Sequence, residues 1–292
     1  MLKAILSCGT LLALTSTLAW ADSFTFSTGS PDGKIATLSR QASTGKLETE
    51  TADDFVTTAQ TTVITSATFT GLLVGGATPA NIKNVEIELY HVFPLDSDPP
   101  DGRVLTRVNS PSDNDFAAAD AALGQLHFTT GVINPTFTAG NSVVNGINAI
   151  PNQFTGGEGP VTGEEIEFFI TFDTPFVLGP DHVFFRPEVD LSTGNFLWLS
   201  APRPIVAPGT PFPPGSTDLQ SWIRNDGPGA LAPDWERIGT DVTNQGPFNA
   251  SFSLSGDAVP EPSSFLLLLS GTPPLVFWLR DKAHRRSGIG RS

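Results

Sequence analysis

The chain has 292 residues, with 16 Lys and Arg against 30 Asp and Glu, a formal net charge of −14. Hydrophobic residues make up 39% and charged ones 16%, which is too apolar for a disordered chain, and Ala, Glu, Lys, Leu and Arg do not dominate as they would in a coiled coil or helical bundle. The acidic balance excludes nucleic-acid binding through a basic surface and leaves a strand-rich exported protein.

Residues 1–21 read as a secretory signal peptide. Lys3 supplies the positive start, Ala4 to Leu14 is mainly apolar, and Ala19-Trp20-Ala21 forms an A-x-A cleavage site, placing the mature start at Asp22. The apolar run is too short to span a membrane. The single cysteine, Cys8, falls inside this segment, so disulfides and thiol chemistry are not expected after processing.

Residues 22–258 carry 10 basic and 28 acidic side chains, a strongly acidic body suited to solubility outside the cell. Apolar and polar residues alternate over Val85–Tyr90 and Glu165–Asp173, the period of half-buried strands. Further strands are expected at Ser23–Thr28, Thr62–Val74, Gln125–Thr130, His182–Val189, Asn195–Ser200 and Phe248–Leu254, punctuated by Gly, Pro, Asn and Asp. Five alanines between Asp115 and Leu123 predict one short helix, and Asn134–Gly163 and Ala201–Thr217 read as long surface loops. The length suits one all-β domain, an antiparallel β-sandwich of jelly-roll type.

Candidate chemistry in this body is sparse. His91, His127 and His182 lack the H-x-x-x-H spacing of a zinc site, and His91 shares strand parity with Val85, Ile87 and Leu89, as a core or boundary histidine would. Glu86/Glu88 and Glu165/Glu167 each place two carboxylates on one strand face, as a glycoside hydrolase would need. The same spacing follows from any strand with a wet acidic face. Asp96, Asp98 and Asp101 crowd oxygen ligands onto a turn at Gly102, with Asp113 and Asp115 on the next loop. Such a loop suits Ca2+, though Pro99-Pro100 breaks the EF-hand pattern. No cofactor is required. Trp222 and Trp235 sit in polar stretches and are candidate glycan platforms, whereas Trp198, among Phe196, Leu197 and Leu199, reads as core.

The C-terminal segment, 259–286, has three parts in order, followed by a short polar tail, 287–292. Val259, Pro260, Glu261, Pro262 and Ser263 open it, and Phe265 to Leu279 follow as fifteen largely apolar residues. As a helix these would cover about 22 Å, short of the roughly 30 Å hydrocarbon core. Arg280, Lys282, Arg285 and Arg286 come next, and would hold this end in the cytoplasm with the body outside. These residues resemble the PEP-CTERM sorting signal: a Pro-Glu-Pro motif, a short transmembrane sorting helix and a basic cluster. The sequence departs from that pattern at Thr272-Pro273-Pro274, where small residues are usual, and at Asp281 within the basic cluster. The resemblance implies recognition and processing by a membrane exosortase in a Gram-negative bacterium that makes extracellular polysaccharide. It covers only this segment.

The expectation is a non-enzymatic protein exported through the inner membrane, transiently anchored there, then delivered to the cell surface or polysaccharide matrix. Its partners would be the exosortase, the membrane before processing, and extracellular polysaccharide. A carbohydrate- or calcium-binding module displayed at the surface is the alternative reading, an extracellular hydrolase a distant one, and an ordinary C-terminal anchor the alternative for the tail.

Overall fold

A computed structural model describes residues 21–93, 108–147, 154–225 and 234–259. The segment read as a signal peptide up to Trp20, the Asp96, Asp98 and Asp101 loop, and everything after Val259, including the expected sorting motif from Pro260, the apolar segment and the basic cluster, lie outside the described residues. Among those described, no helix is long and apolar enough to cross a membrane.

Residues Asp22–Val259 form one compact unit. Its strands in chain order are β1 (Asp22–Ser27), β2 (Ile35–Leu38), β3 (Thr49–Thr57), β4 (Thr61–Val74), β5 (Ile82–Val92), β6 (Pro111–Asp120), β7 (Leu126–Ala139), β8 (Asn141–Val143), β9 (Val161–Leu178), β10 (Asp181–Leu191), β11 (Asn195–Ala201), β12 (Trp222–Asn225), β13 (Glu236–Arg237), β14 (Asn249–Ala250) and β15 (Phe252–Val259). Pro79–Asn81 makes a 3₁₀ turn and Ile238–Val242 a π turn.

The strands build two sheets, antiparallel except for the β2–β8 pair. In the larger sheet β1 pairs with β15, β15 with β4, β4 with β9, and β9 with β7. β11 continues along β4 beyond β15 and carries β2. The smaller sheet runs β13-β12-β3-β10-β5-β6. All-β and sandwich-like, the unit matches the class its sequence predicts.

Side-chain alternation decides what each sheet buries. Phe24 and Phe26 of β1, Phe69 and Leu73 of β4, Phe168 and Ile170 of β9 and Phe252 and Leu254 of β15 face inward from the larger sheet. They meet Val85, Ile87 and Leu89 of β5 and Val183 and Phe185 of β10 from the smaller one. The interior is held by ring contacts across these strands. Phe69 stacks on Phe168 at 4.6 Å, and Phe185 on Phe252 at 5.0 Å. Trp198, fully buried and donating Nε1–H to the Ser251 carbonyl, belongs to this core.

Two sequence expectations need correction. The alanine run expected to be helical lies mostly in β6. Ala117, Ala118 and Ala119 pair with Leu89, Glu88 and Ile87 of β5, and Ala119 is buried in the core. Ladder bonds and burial outweigh the few tenths of a kcal/mol per residue by which alanine prefers a helix. The expected loop from Asn134 is strand in part, because β7 runs on to Ala139, β8 follows, and β9 begins at Val161. The segment after β11 is irregular, as expected, and contains cis bonds at Arg203-Pro204 and Ala207-Pro208.

Candidate functional site

The outer face of the larger sheet is lined with hydroxyls. Cross-strand partners in an antiparallel sheet point the same way, so the register reads as rows. One row runs Ser27, Ser253, Thr68, Phe169, Thr129 from β1 across to β7. The next runs Thr25, Ser255, Ser66, Thr171, His127. Beyond the first row, Thr70 of β4 and Gly131 of β7 flank Glu167 of β9.

Here the face dips into a cleft of about 240 Å3 lined by Ser27, Ser30, Thr68, Thr70, Ser251, Ser253 and Glu167, with Pro31, Ile133 and Pro208 at its apolar edges. The segment after β11 closes one side, tied down by Thr210 N–H donating to the Ser27 carbonyl at 2.6 Å. Some hydroxyls serve the fold. Thr68 Oγ1 and Ser253 Oγ share a hydrogen bond of 2.7 Å, and Ser251 Oγ donates to the Gly29 carbonyl at 3.0 Å. Thr70 N–H donates to the Ser251 carbonyl at 3.2 Å, but the Thr70 hydroxyl and the Glu167 carboxylate have no hydrogen-bond or ion-pair partner among the described residues. Burial pushes the Glu167 carboxyl above its ordinary value, and does the same to Glu165 on the same strand face. Beside the cleft, Phe169 leaves 45% of its surface in solvent. The cleft therefore offers one unpaired acceptor, free hydroxyls and apolar walls.

The smaller sheet carries a second polar cluster on its outer face, of a different kind. Arg186 of β10, Glu50 of β3, Glu88 of β5 and Arg224 of β12 come together because each sits at an outward position of adjacent strands. Arg186 pairs with Glu88, with Glu48 at 2.9 Å and with Glu188 at 2.6 Å. Tyr90 Oη donates to Glu88 at 2.5 Å and accepts from Arg186 Nη1 at 2.8 Å. Arg224 donates Nε–H to Glu50 at 2.8 Å and lies 4.5 Å above the Trp235 ring. Burial alone would raise Glu50, but Arg186 and Arg224 outweigh it and hold its carboxyl below the ordinary value. Burial wins at Glu188, despite Arg186, and pushes its carboxyl up to about 8; its Oε2 meets no donor. Glu86, two residues from Glu88, bonds instead to Gln41.

Trp222 and Trp235 belong to this cluster, which corrects the expectation that they sit at a wet surface. Both are buried, packed with Ala52, Tyr90, Phe184 and Leu219, and Trp235 donates Nε1–H to the Ser112 carbonyl. Polar residues around them join the packing: Arg224 covers Trp235, and Glu236 is wholly inside. Neither ring offers a face to a glycan.

The histidines are paired and peripheral. His91 Nδ1 lies 2.9 Å from Asp181 and its ring stacks on Phe116 at 4.0 Å, a boundary position as its parity implied. His182 Nε2 lies 2.6 Å from buried Asp54, which also accepts from the Leu219 N–H, while His127, exposed, meets Asp173 at 3.2 Å. Among the described residues no group of three or more His, Cys, Asp and Glu is arranged to hold a metal. Asp113 and Asp115, the flanking residues of the expected calcium loop, lie in β6.

The unpartnered carboxylate at Glu167 was legible only as half of a pair spaced two apart on a strand. Its hydroxyl surroundings come from four strands and a loop, which no local pattern reports. No protein-family model, curated protein or solved structure matches this chain.

Proposed function

We propose that this is a non-enzymatic exported protein whose acidic body is carried to the cell surface or the extracellular polysaccharide matrix by a C-terminal sorting signal read by an exosortase. The carrying observation is the order of three features after the body: Pro260-Glu261-Pro262, a short apolar segment, then Arg280, Lys282, Arg285 and Arg286. Before them the chain is committed to the fold as far as Val259, opposite Thr61 of β4. Every core residue among those described lies before Pro260, so removal of the tail takes none of them. Asp22, the expected mature start, likewise begins β1.

The body itself we assign to the jelly-roll class of sandwiches. The support is strand order: β1-β15-β4-β9 in one sheet against β3-β10-β5-β6 in the other, the arrangement of eight strands wound as two Greek keys. That architecture hosts many unrelated functions, so it adds nothing to the choice of activity.

The test is the intact mass of the protein from each fraction of its producing cells, compared between wild type and Glu261→Ala. A product that starts at Asp22 and lacks the tail, found only in wild type and outside the inner membrane, is expected. A full-length tail held in the inner membrane in both strains would make the segment an ordinary anchor and overturn the proposal.

A further inference from the structure

The cleft beside β9 has a chemistry of its own. We infer that it is a saccharide-binding site in which the Glu167 carboxylate receives two neighbouring hydroxyls of one uncharged sugar unit. This deepens the proposed delivery to a polysaccharide by naming the surface that would hold it.

Three observations carry the inference. The first is open hydrogen-bonding capacity: the half-buried Glu167 has no partner among the described residues, nor does the Thr70 hydroxyl across from it. A carboxylate left to water keeps both oxygens available, and a ligand bearing adjacent O–H donors satisfies both at once. The second is size and wall chemistry. At about 240 Å3 the cleft is smaller than the roughly 300–1,000 Å3 pockets of drug-sized ligands, so it takes one ring-sized unit. Pro31, Ile133 and Pro208 offer C–H surface to the ring's apolar face, and Phe169, two residues along the same face of β9, extends it to a neighbouring unit. Another cleft of equal volume, beside β1 and Pro213, has no charged side chain among its lining residues.

The third observation is charge. The body carries 28 acidic against 10 basic side chains, and buried Glu165 shares the face with Glu167. A uronate or sulfated sugar would meet only like charge here. The site therefore selects neutral sugars.

Calorimetry would use the full chain in detergent micelles with neutral hexasaccharides of glucose, galactose and mannose, and with a hexa-uronate of equal length. At least one neutral hexasaccharide should bind, the hexa-uronate should bind at least tenfold more weakly, and Glu167→Gln should weaken the neutral ligand at least tenfold. Thr70→Val, similar in volume, should weaken it severalfold, and Phe169→Ala should do the same for the hexasaccharide but not for the free monosaccharide. Unchanged unfolding midpoints of the variants keep these losses attributable to the cleft. No binding by any neutral hexasaccharide, tighter binding of the uronate, or undiminished binding by Glu167→Gln would overturn the inference. The readout is independent of processing: an unprocessed tail with intact sugar binding would sink the sorting proposal alone, and a processed tail without binding would sink this one alone.

Discussion

Among the described residues, Arg186 is ringed by four acidic side chains. It is 1% exposed, with the carboxyl groups of Glu48, Glu50, Glu88 and Glu188 around it. Losing one partner of a buried ion pair is far more costly than never having had the pair, because the charges left behind keep their desolvation penalty. Arg186→Met should therefore destabilise the fold by about 3–5 kcal/mol, read as a fall in the denaturant midpoint at constant slope. Glu188 sets a pH dependence of the opposite sense to most carboxylates. Its carboxyl titrates at about 8 in the fold against an ordinary value of 4.5, so its favourable contribution is complete below pH 4.5 and is lost as pH rises toward 8. Across that window the loss amounts to at most about 1.4 kcal/mol per pH unit. Glu188→Gln should flatten the fall in stability between pH 5 and 8.5, and should be more stable than wild type at the upper end. Denaturant titrations of both proteins at the two pH values would show it, and a parallel fall in the variant would refute it.

At the scale of strands, legibility followed alternation. β5 and β9 each present one apolar and one polar face, and both were readable as half-buried strands from Val85–Tyr90 and Glu165–Asp173. β3 was not, because Thr49–Thr57 buries polar residues on both faces: Thr51 and Asp53 on one, Glu50 and Asp54 on the other. A buried Asp such as Asp53, held by the Ser221 hydroxyl and the Ala250 N–H, looks in sequence like a loop residue. The same blindness made Trp222 and Trp235 look wet, since Ser221 and Arg224 beside Trp222 find their partners, Asp53 and Glu50, more than a hundred residues away. Contact between β4 and β11 supplies a sharper test of an element. A Cβ at Gly71 would lie 2.3 Å from the Phe196 ring and 2.5 Å from the Leu197 carbonyl, so only glycine permits the two strands to pair there. Gly71→Ala should cost about 1–3 kcal/mol by overpacking, measurable by equilibrium unfolding. An unchanged midpoint would mean that β11 can shift without loss.

For the molecule as a whole, the informative feature is where its ends emerge. Asp22 stands opposite Ala258, so the first residue of β1 and the last of β15 leave the same end of the larger sheet. The cleft lies at the other end of β15, around Ser251 and Ser253, about 20–27 Å from Val259 at strand rise. A load applied between Val259 and the cleft would thus act lengthwise along β15. That strand is laddered on both sides, to β1 and to β4. Tension in this direction shears two rows of hydrogen bonds together instead of peeling them one at a time, which is the geometry of a fastener that resists drag.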